Sequence, residues 1–147
     1  MKIQMKTIAS DYNEETGLSI VTISTDLGEF TGYSKLHPED VEIASKYAGC
    51  RYAEMRAGIK YMKAKARIAK YKLEPLKRIY NNLNQMNSFN NNNNKGIKML
   101  EKEIYLLEDE IETFTMNTKT LQERLDKAIN SRPDIIKDIK KRKQDSE

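Results

Sequence analysis

The chain has 147 residues and a net charge of +4 at pH 7, and 33% of its residues are charged. Its single cysteine excludes an intrachain disulfide, and the absence of any run of about 18 apolar residues argues against a membrane span. The first ten residues, MKIQMKTIAS, also lack the apolar core of a signal peptide. We therefore expect one structural unit in the cytoplasm.

Residues 2–34 have the pattern of three short strands. Polar and apolar residues alternate roughly over residues 2–9, and LSIVTIST at residues 18–25 is rich in β-branched side chains. Gly17 and Gly28 stand where the two connections need a positive φ angle. The pattern predicts an antiparallel β-meander, which needs a helix against its apolar face to be stable.

A short helix is predicted next, in the stretch LHPEDVEIASKYAG. Pro38 suits the first turn of a helix, where the N–H has no partner, and Glu39 and Asp40 favour the positive end of the helix dipole. Gly49 is predicted to end this helix. We assign residues 1–49 to a head made of the meander and this helix, and residues 50–147 to a long helical hairpin.

Two stretches carry a heptad pattern, one on each side of the Asn-rich run near residues 87–96. The pattern residues of the first stretch are Tyr52, Met55, Ile59, Met62, Ala66, Ala69, Leu73, Leu76, Tyr80 and Leu83. Those of the second are Ile97, Leu100, Ile104, Leu107, Ile111, Phe114, Thr118, Leu121, Leu125 and Ala128. Because Asn disfavours helix interiors and tolerates turns, we interpret the run as the tip of an antiparallel coiled-coil hairpin.

The hairpin interpretation predicts a register. The expected facing pairs are Tyr80 with Leu100, Leu73 with Leu107, Ala69 with Ile111 and Ala66 with Phe114. The expected ion pairs are Lys77 with Glu101, Lys70 with Glu108 and Lys72 with Glu110. Exposed pairs of this kind select the pairing direction more than they stabilise the fold.

Two prolines interrupt the helical pattern. Pro75 lies inside the first long helix on its outer side and is predicted to kink or break it, and Pro133 is predicted to do the same to the second. The chain then ends in a charged tail. The predicted fold class is α+β, mostly α, with a small antiparallel meander, a short helix and an antiparallel coiled-coil helical hairpin.

Catalytic patterns are nearly absent. A turn or cap role explains His37 better than acid–base catalysis, and a small apolar residue at a helix junction explains Cys50 better than a reactive thiol. The acidic residues do not match the spacing of a metal-binding loop, either in the pair Glu39 and Asp40 or in the cluster at residues 108–112. We expect no enzymatic activity, no metal and no cofactor.

The basic residues allow two interpretations. Lys60, Lys65 and Arg67, interleaved with tyrosines, and the tail residues Lys140, Lys141, Arg142 and Lys143 could bind the phosphates of a nucleic acid or a nucleotide. The alternative, which we favour, is that lysines of this region pair with the acidic helix or serve solvation.

A second apolar strip lies outside the heptad pattern. Its members are Ala57, Tyr61, Ala64, Ile68 and Tyr71 on the first helix, and Met99, Tyr105 and Leu106 on the second. We expect the sheet to cover the strip near Ala57 and to be too small to reach the part near Tyr71 and Leu106. The predicted partner-binding residues are Tyr61, Ile68, Tyr71, Met99, Tyr105 and Leu106.

The segment TDLGEFTGYSKLHPEDVEIASKYAGCRYAEMRAGIKYMKAK, residues 25–65, resembles a group of small, mostly uncharacterised accessory proteins of temperate phages of Gram-positive bacteria. The resemblance lies in the glycine-turned strand, the LHPED stretch and the AEMRA helix start, and it covers roughly the first half of the chain. It implies a phage accessory protein in the host cytoplasm. Small phage proteins of this size commonly bind and block a host enzyme or defence complex, or bind its nucleotide signal.

Three functions follow from these patterns and from what the resemblance implies. The first is non-enzymatic binding of a host protein or complex, with inhibition of an antiviral defence complex such as a CRISPR effector as its specific form. The second is binding of a nucleic acid or nucleotide, whose affinity would fall steeply as salt rises. The third is a structural coiled-coil protein that assembles into a homo-oligomer.

Overall fold

The structure is a computed structural model that describes residues 4–35, 46–87 and 94–145, with side chains described for 4–35, 48–86 and 95–131. The elements in chain order are β1 (Met5–Asn13), β2 (Leu18–Thr25), β3 (Gly28–Lys35), α1 (Lys46–Asn87) and α2 (Asn94–Asp145). The predicted α+β class, with a three-stranded sheet before a helical hairpin, is confirmed. The stretch that carries His37 and most of the predicted short helix lies outside the described residues, as does the middle of the predicted tip.

The sheet is the predicted meander, with strand order β1-β2-β3 and antiparallel pairing throughout. Gly17 and Gly28 have positive φ angles of 72° and 107°. The side-chain oxygen of Asn13 accepts hydrogen bonds from the backbone N–H of Glu15 at 2.9 Å and of Thr16 at 3.2 Å. Glycine and this Asx turn therefore fix the first connection, as the turn chemistry of the sequence predicts.

Helix α1 packs on the sheet with almost no space between the two backbones. A Cβ atom on Gly32 would lie 1.9 Å from the carbonyl oxygen of Ala53 and 2.6 Å from the backbone nitrogen of Ala57. Ala53 and Ala57 are fully buried. Small residues on both elements therefore set the distance between strand β3 and helix α1.

The outer edge of β3 is covered by side chains of α1. Lys60 Nζ donates to the carbonyl oxygen of Thr31, and Arg56 Nη1 donates to that of Tyr33, both at 2.7 Å. The Lys60 ammonium also lies 5.5 Å from the centre of the Tyr33 ring. Because an uncovered edge strand offers free carbonyls to other strands, these two cations protect the sheet at this edge.

Both long helices are longer and less interrupted than predicted. Gly49 does not end a helix, because α1 begins at Lys46 and continues through it. Pro75 lies inside α1 without breaking it, and α2 runs through Pro133. A glycine costs a helix only about 1 kcal/mol and an exposed proline about 3 kcal/mol, and buried apolar residues in the following turns supply more than that.

The residue contacts group the chain into two compact units. The hairpin unit is Met62–Asn117, and the sheet unit consists of Lys2–Tyr61 and Thr118–Glu147. The boundaries between these units fall inside the helices. The predicted division between residues 49 and 50 stays a prediction. The predicted single structural unit stays a prediction.

The core of the sheet unit joins the inner face of β2 to α1 and α2. Val21 and Ile23 are buried beneath the helix, and Leu125 of α2 is buried in the same unit. The Tyr61 ring lies 5.8 Å from the Phe30 ring at an interplanar angle of 59°. Its hydroxyl donates to the Asp26 carboxylate, so this buried tyrosine has a partner for its polar atom.

In the hairpin unit the heptad residues form the contact between α1 and α2. Every heptad residue of the described side chains is buried or half-buried, which confirms the predicted contact face. The Tyr80 hydroxyl donates to Glu101 at 2.8 Å, and Lys77 Nζ lies 3.1 Å from a Glu108 oxygen. The later residue of α1, Tyr80, contacts the earlier residue of α2, Glu101, and Lys77 contacts Glu108. The two helices are therefore antiparallel.

The predicted ion pairs are wrong in detail. Lys77 pairs with Glu108 instead of Glu101, whose carboxylate accepts the Tyr80 hydroxyl. In the described part of the hairpin unit, Lys70 and Lys72 form no ion pair with α2. Long lysine side chains reach a carboxylate more than one turn away, so repeated charges allow several pairings of similar energy.

Candidate partner-binding surfaces

The described residues show no candidate metal site. They contain no group of three or more His, Cys, Asp and Glu side chains that could hold a metal ion. Cys50 is a half-buried free thiol inside α1. No described helix is long and apolar enough to cross a membrane.

The structure describes the side chains of three residues that are predicted to bind phosphate, Lys60, Lys65 and Arg67. The Lys60 ammonium is bonded to the sheet, and Lys65 is half-buried and interacts within the chain. Arg67 is exposed on the hairpin unit. The side chains of the tail residues Lys140, Lys141, Arg142 and Lys143 lie outside the described residues.

Tyr61 does not belong to an accessible surface, which corrects the predicted set of partner-binding residues. Its side chain is 0% exposed because it packs against Phe30 and bonds to Asp26 within the sheet unit. The sheet therefore covers the apolar strip as far as Tyr61, slightly beyond the predicted contact at Ala57.

Tyr71 lies at the centre of an exposed face of α1 in the hairpin unit. It is 82% exposed, the largest fraction among the exposed large apolar side chains described. The neighbours of Tyr71 on the same side of the helix are also exposed. They are Arg67 and Ile68 one turn before it, Pro75 one turn after it and Arg78 two turns after it. We call these five residues the outer patch.

Pro75 removes one backbone hydrogen-bond donor from α1 beneath the outer patch. In an α-helix the N–H of residue 75 would bond to the carbonyl of residue 71, and proline has no N–H. The carbonyl of Tyr71 therefore lacks its usual partner in the helix, beside the exposed Tyr71 ring. A donor on a bound partner could satisfy it.

Met99 and Leu106 line a different surface, together with Ile79, Leu83 and Leu100. With Gly96, Lys102 and Glu103 they line an open groove of about 720 Å³ between α1 and α2, which we call the apolar groove. The sequence patterns missed Ile79 and assigned Leu83 and Leu100 only to the helix contact. The spacing of Ile79, Leu83 and Met86 by four and three residues could have indicated this face.

Tyr105 lies on a third surface of the hairpin unit. It lines a smaller groove with Tyr80, Lys77, Glu101 and Glu108, where the polar contacts between the helices are made. On α2 it is rotated by about 100° from Leu106, since each helical residue turns the chain by that angle. The predicted binding residues are thus divided among three surfaces of the hairpin unit, except for the buried Tyr61.

The outer patch and the apolar groove are two of the exposed surfaces with apolar side chains on the part of the chain that the structure describes. The function has to be inferred from them. Comparisons of the chain with known protein families, with curated proteins and with solved structures give no match.

Proposed function

We propose that this protein acts without catalysis, by binding another protein through the outer patch of α1. The observation that carries the proposal is the exposure of Tyr71, at 82%, among two arginines and two apolar residues. The resemblance to phage accessory proteins favours a host protein as the partner. Inhibition of an antiviral defence complex is the specific form of this proposal.

The composition of the patch supports protein binding. Tyrosine and arginine are enriched among the residues that dominate the binding energy of interfaces, because each combines apolar area with polar donors. Ile68 and Pro75 add apolar surface beside the Tyr71 ring. Arg78 lies 3.6 Å from Glu74, an exposed pair that contributes little and can exchange its carboxylate for one on a partner.

The backbone at Tyr71 supports the same conclusion. A helix surface normally offers a partner only side chains, because its backbone groups are bonded within the helix. The Tyr71 carbonyl is an exception, as Pro75 cannot donate to it. A partner with a donor at this point would gain a hydrogen bond of about 1 kcal/mol.

Affinity capture with matched variants tests the proposal. The tagged chain is exposed to nuclease-treated lysate of a Gram-positive host at moderate salt, and captured proteins are identified by mass spectrometry. We expect one near-stoichiometric protein with the wild type and with Tyr105→Ser, and its loss with Tyr71→Ser. Tyr105 is a suitable control because it is 67% exposed in the same unit but lies outside the outer patch.

Two outcomes would contradict outer-patch binding. One is capture of the same protein at an unchanged level by Tyr71→Ser. The other is recovery of the bait alone under conditions where the wild type is folded, as judged by its helical circular dichroism.

One observation favours nucleic acid as a second candidate ligand. Lys63, Arg67 and Lys70 are exposed along one side of α1 and form no ion pair in the described residues. They remain available for phosphates, although acidic residues of α2 lie nearby. If they bind a strand, affinity falls steeply with salt, and Arg67→Ala reduces the slope of log affinity against log salt by about one.

Titration of a labelled oligonucleotide at several salt concentrations measures this slope. Lys98→Ala, which removes a charge from α2 of the same unit, is the control variant. Equal slopes for the wild type and Arg67→Ala would exclude this candidate.

A further inference from the structure

The apolar groove needs a cover that the described chain does not supply. Ile79 is 48% exposed, Met99 is 65% exposed and Leu106 is 55% exposed. Leu83 and Leu100 form its half-buried floor. A row of large apolar side chains between two helices is the kind of surface that a further helix or helix pair covers.

We infer that a second copy of this chain covers the groove, so that two hairpin units form a four-helix bundle. The inference does not depend on the outer patch, because it uses other residues. The charges of the two helices favour a second copy over a foreign partner.

The helices of the hairpin unit differ in charge. From Met62 to Asn87, α1 has five Lys and two Arg against one Glu, a net charge of +6. From Asn94 to Asn117, α2 has three Lys against five Glu and one Asp, a net charge of −3. The two helices that border the groove therefore carry opposite net charges, while the charged residues that line it, Lys102 and Glu103, both belong to α2 and balance each other.

A second copy complements this pattern when its α2 lies on α1 of the first. A two-fold axis parallel to the helices produces this arrangement, and both contacts are then equivalent. The alternative axis, perpendicular to the helices, stacks α1 on the other α1 and brings two basic helices together. Repulsion disfavours that alternative.

The two-fold axis parallel to the helices also brings apolar residues of the two copies together, and it brings oppositely charged residues within reach of each other. Within one hairpin, Ile79 and Leu106 line the same groove and lie at a similar height along the helices. Rotation about an axis parallel to the helices keeps that height, so Ile79 would meet the second copy's Leu106. On the groove side Lys72 lies two turns before Ile79 and Glu110 lies one turn after Leu106, so the long Lys72 side chain would reach the second copy's Glu110. Lys72 is a residue predicted to pair with Glu110 within the chain, and that pair does not form in the structure.

Sedimentation equilibrium of the full chain tests the inference. We expect a mass of twice 17.1 kDa at moderate salt. Leu106→Glu should raise the dissociation constant of the dimer by at least about tenfold, because it places a charge in the apolar contact. Met116→Glu should leave it unchanged, since Met116 is exposed on α2 but does not line the groove.

The charged pair gives a second readout. Lys72→Glu should weaken the dimer, and the double variant with Glu110→Lys should restore it. Circular dichroism checks that each variant is folded, and Met99→Glu replaces Leu106→Glu if that variant unfolds.

Three results would overturn the inference. They are a monomer at every concentration, a dimer that tolerates the groove variants, and a dimer that Lys72→Glu strengthens. The first two exclude the groove as the contact, and the third supports stacking of α1 on α1. None of them bears on capture of a partner by Tyr71.

Discussion

Gly32 is the residue at which the packing of the sheet unit allows least change. Because a Cβ there would lie 1.9 Å from the Ala53 carbonyl oxygen, Gly32→Ala must move strand or helix. We expect a loss of about 3 kcal/mol in the free energy of unfolding, the upper range for overpacking, measured by urea denaturation.

Gly96→Ala is the matched control for this change. A Cβ on Gly96 would meet nothing within 4 Å, and alanine is the better helix former by about 1 kcal/mol. The control should be neutral or stabilising. If Gly32→Ala were equally harmless, the close approach of β3 to α1 would be wrong.

Tyr61 and Tyr71 show why the sequence predicts the candidate site only in part. Both are tyrosines on α1 outside the heptad contact, ten positions apart, and the sequence places them in one strip. Tyr61 is buried and Tyr71 is exposed, because the sheet packs against the first and not the second. How far a small sheet reaches along a helix depends on tertiary packing, which residue periodicity does not contain.

At the scale of elements, Pro75 joins the stability of α1 to its binding role. Pro75→Ala restores the hydrogen bond to the Tyr71 carbonyl and should raise the free energy of unfolding by up to about 3 kcal/mol. The same change removes the backbone acceptor from the outer patch. We therefore expect weaker binding of the captured partner, by at least about fivefold, because the variant loses this hydrogen bond and also the apolar surface of the proline ring.

A control separates the two effects of Pro75→Ala. Asn82→Ala also favours the helix but leaves the Tyr71 carbonyl unchanged, so it should raise stability without changing affinity. Denaturation and calorimetric titration measure the two quantities. Unchanged affinity of the Pro75→Ala variant would remove the carbonyl from the proposed contact.

The pairing of α1 with α2 shows which features of a helix contact the sequence pattern predicts and which it does not. The apolar spacing predicts the contact face, and the Asn-rich run between the two heptad stretches predicts the antiparallel direction. The ion pairs are not predictable to the same degree. Exposed pairs contribute about 0 to 1 kcal/mol, so Lys77 can take Glu108 instead of Glu101 at little cost.

At the scale of the whole molecule, the sequence predicts the order and type of the elements well. Alternating β-branched residues and two turn glycines specify the meander, and heptads specify the hairpin. The continuity of the helices through Gly49 and Pro75 was not predictable, because local propensity opposes it and packing decides it. The division into two units inside the helices likewise depends on contacts distant in sequence.

The central proposal, that the outer patch binds a partner protein, is tested most directly by calorimetric titration of the captured protein into the wild type, Tyr71→Ser and Tyr105→Ser. We predict that Tyr71→Ser weakens binding by at least about tenfold, as expected for a residue that dominates an interface, and that Tyr105→Ser changes it less than about twofold. Equal affinities for the wild type and Tyr71→Ser would contradict the proposal.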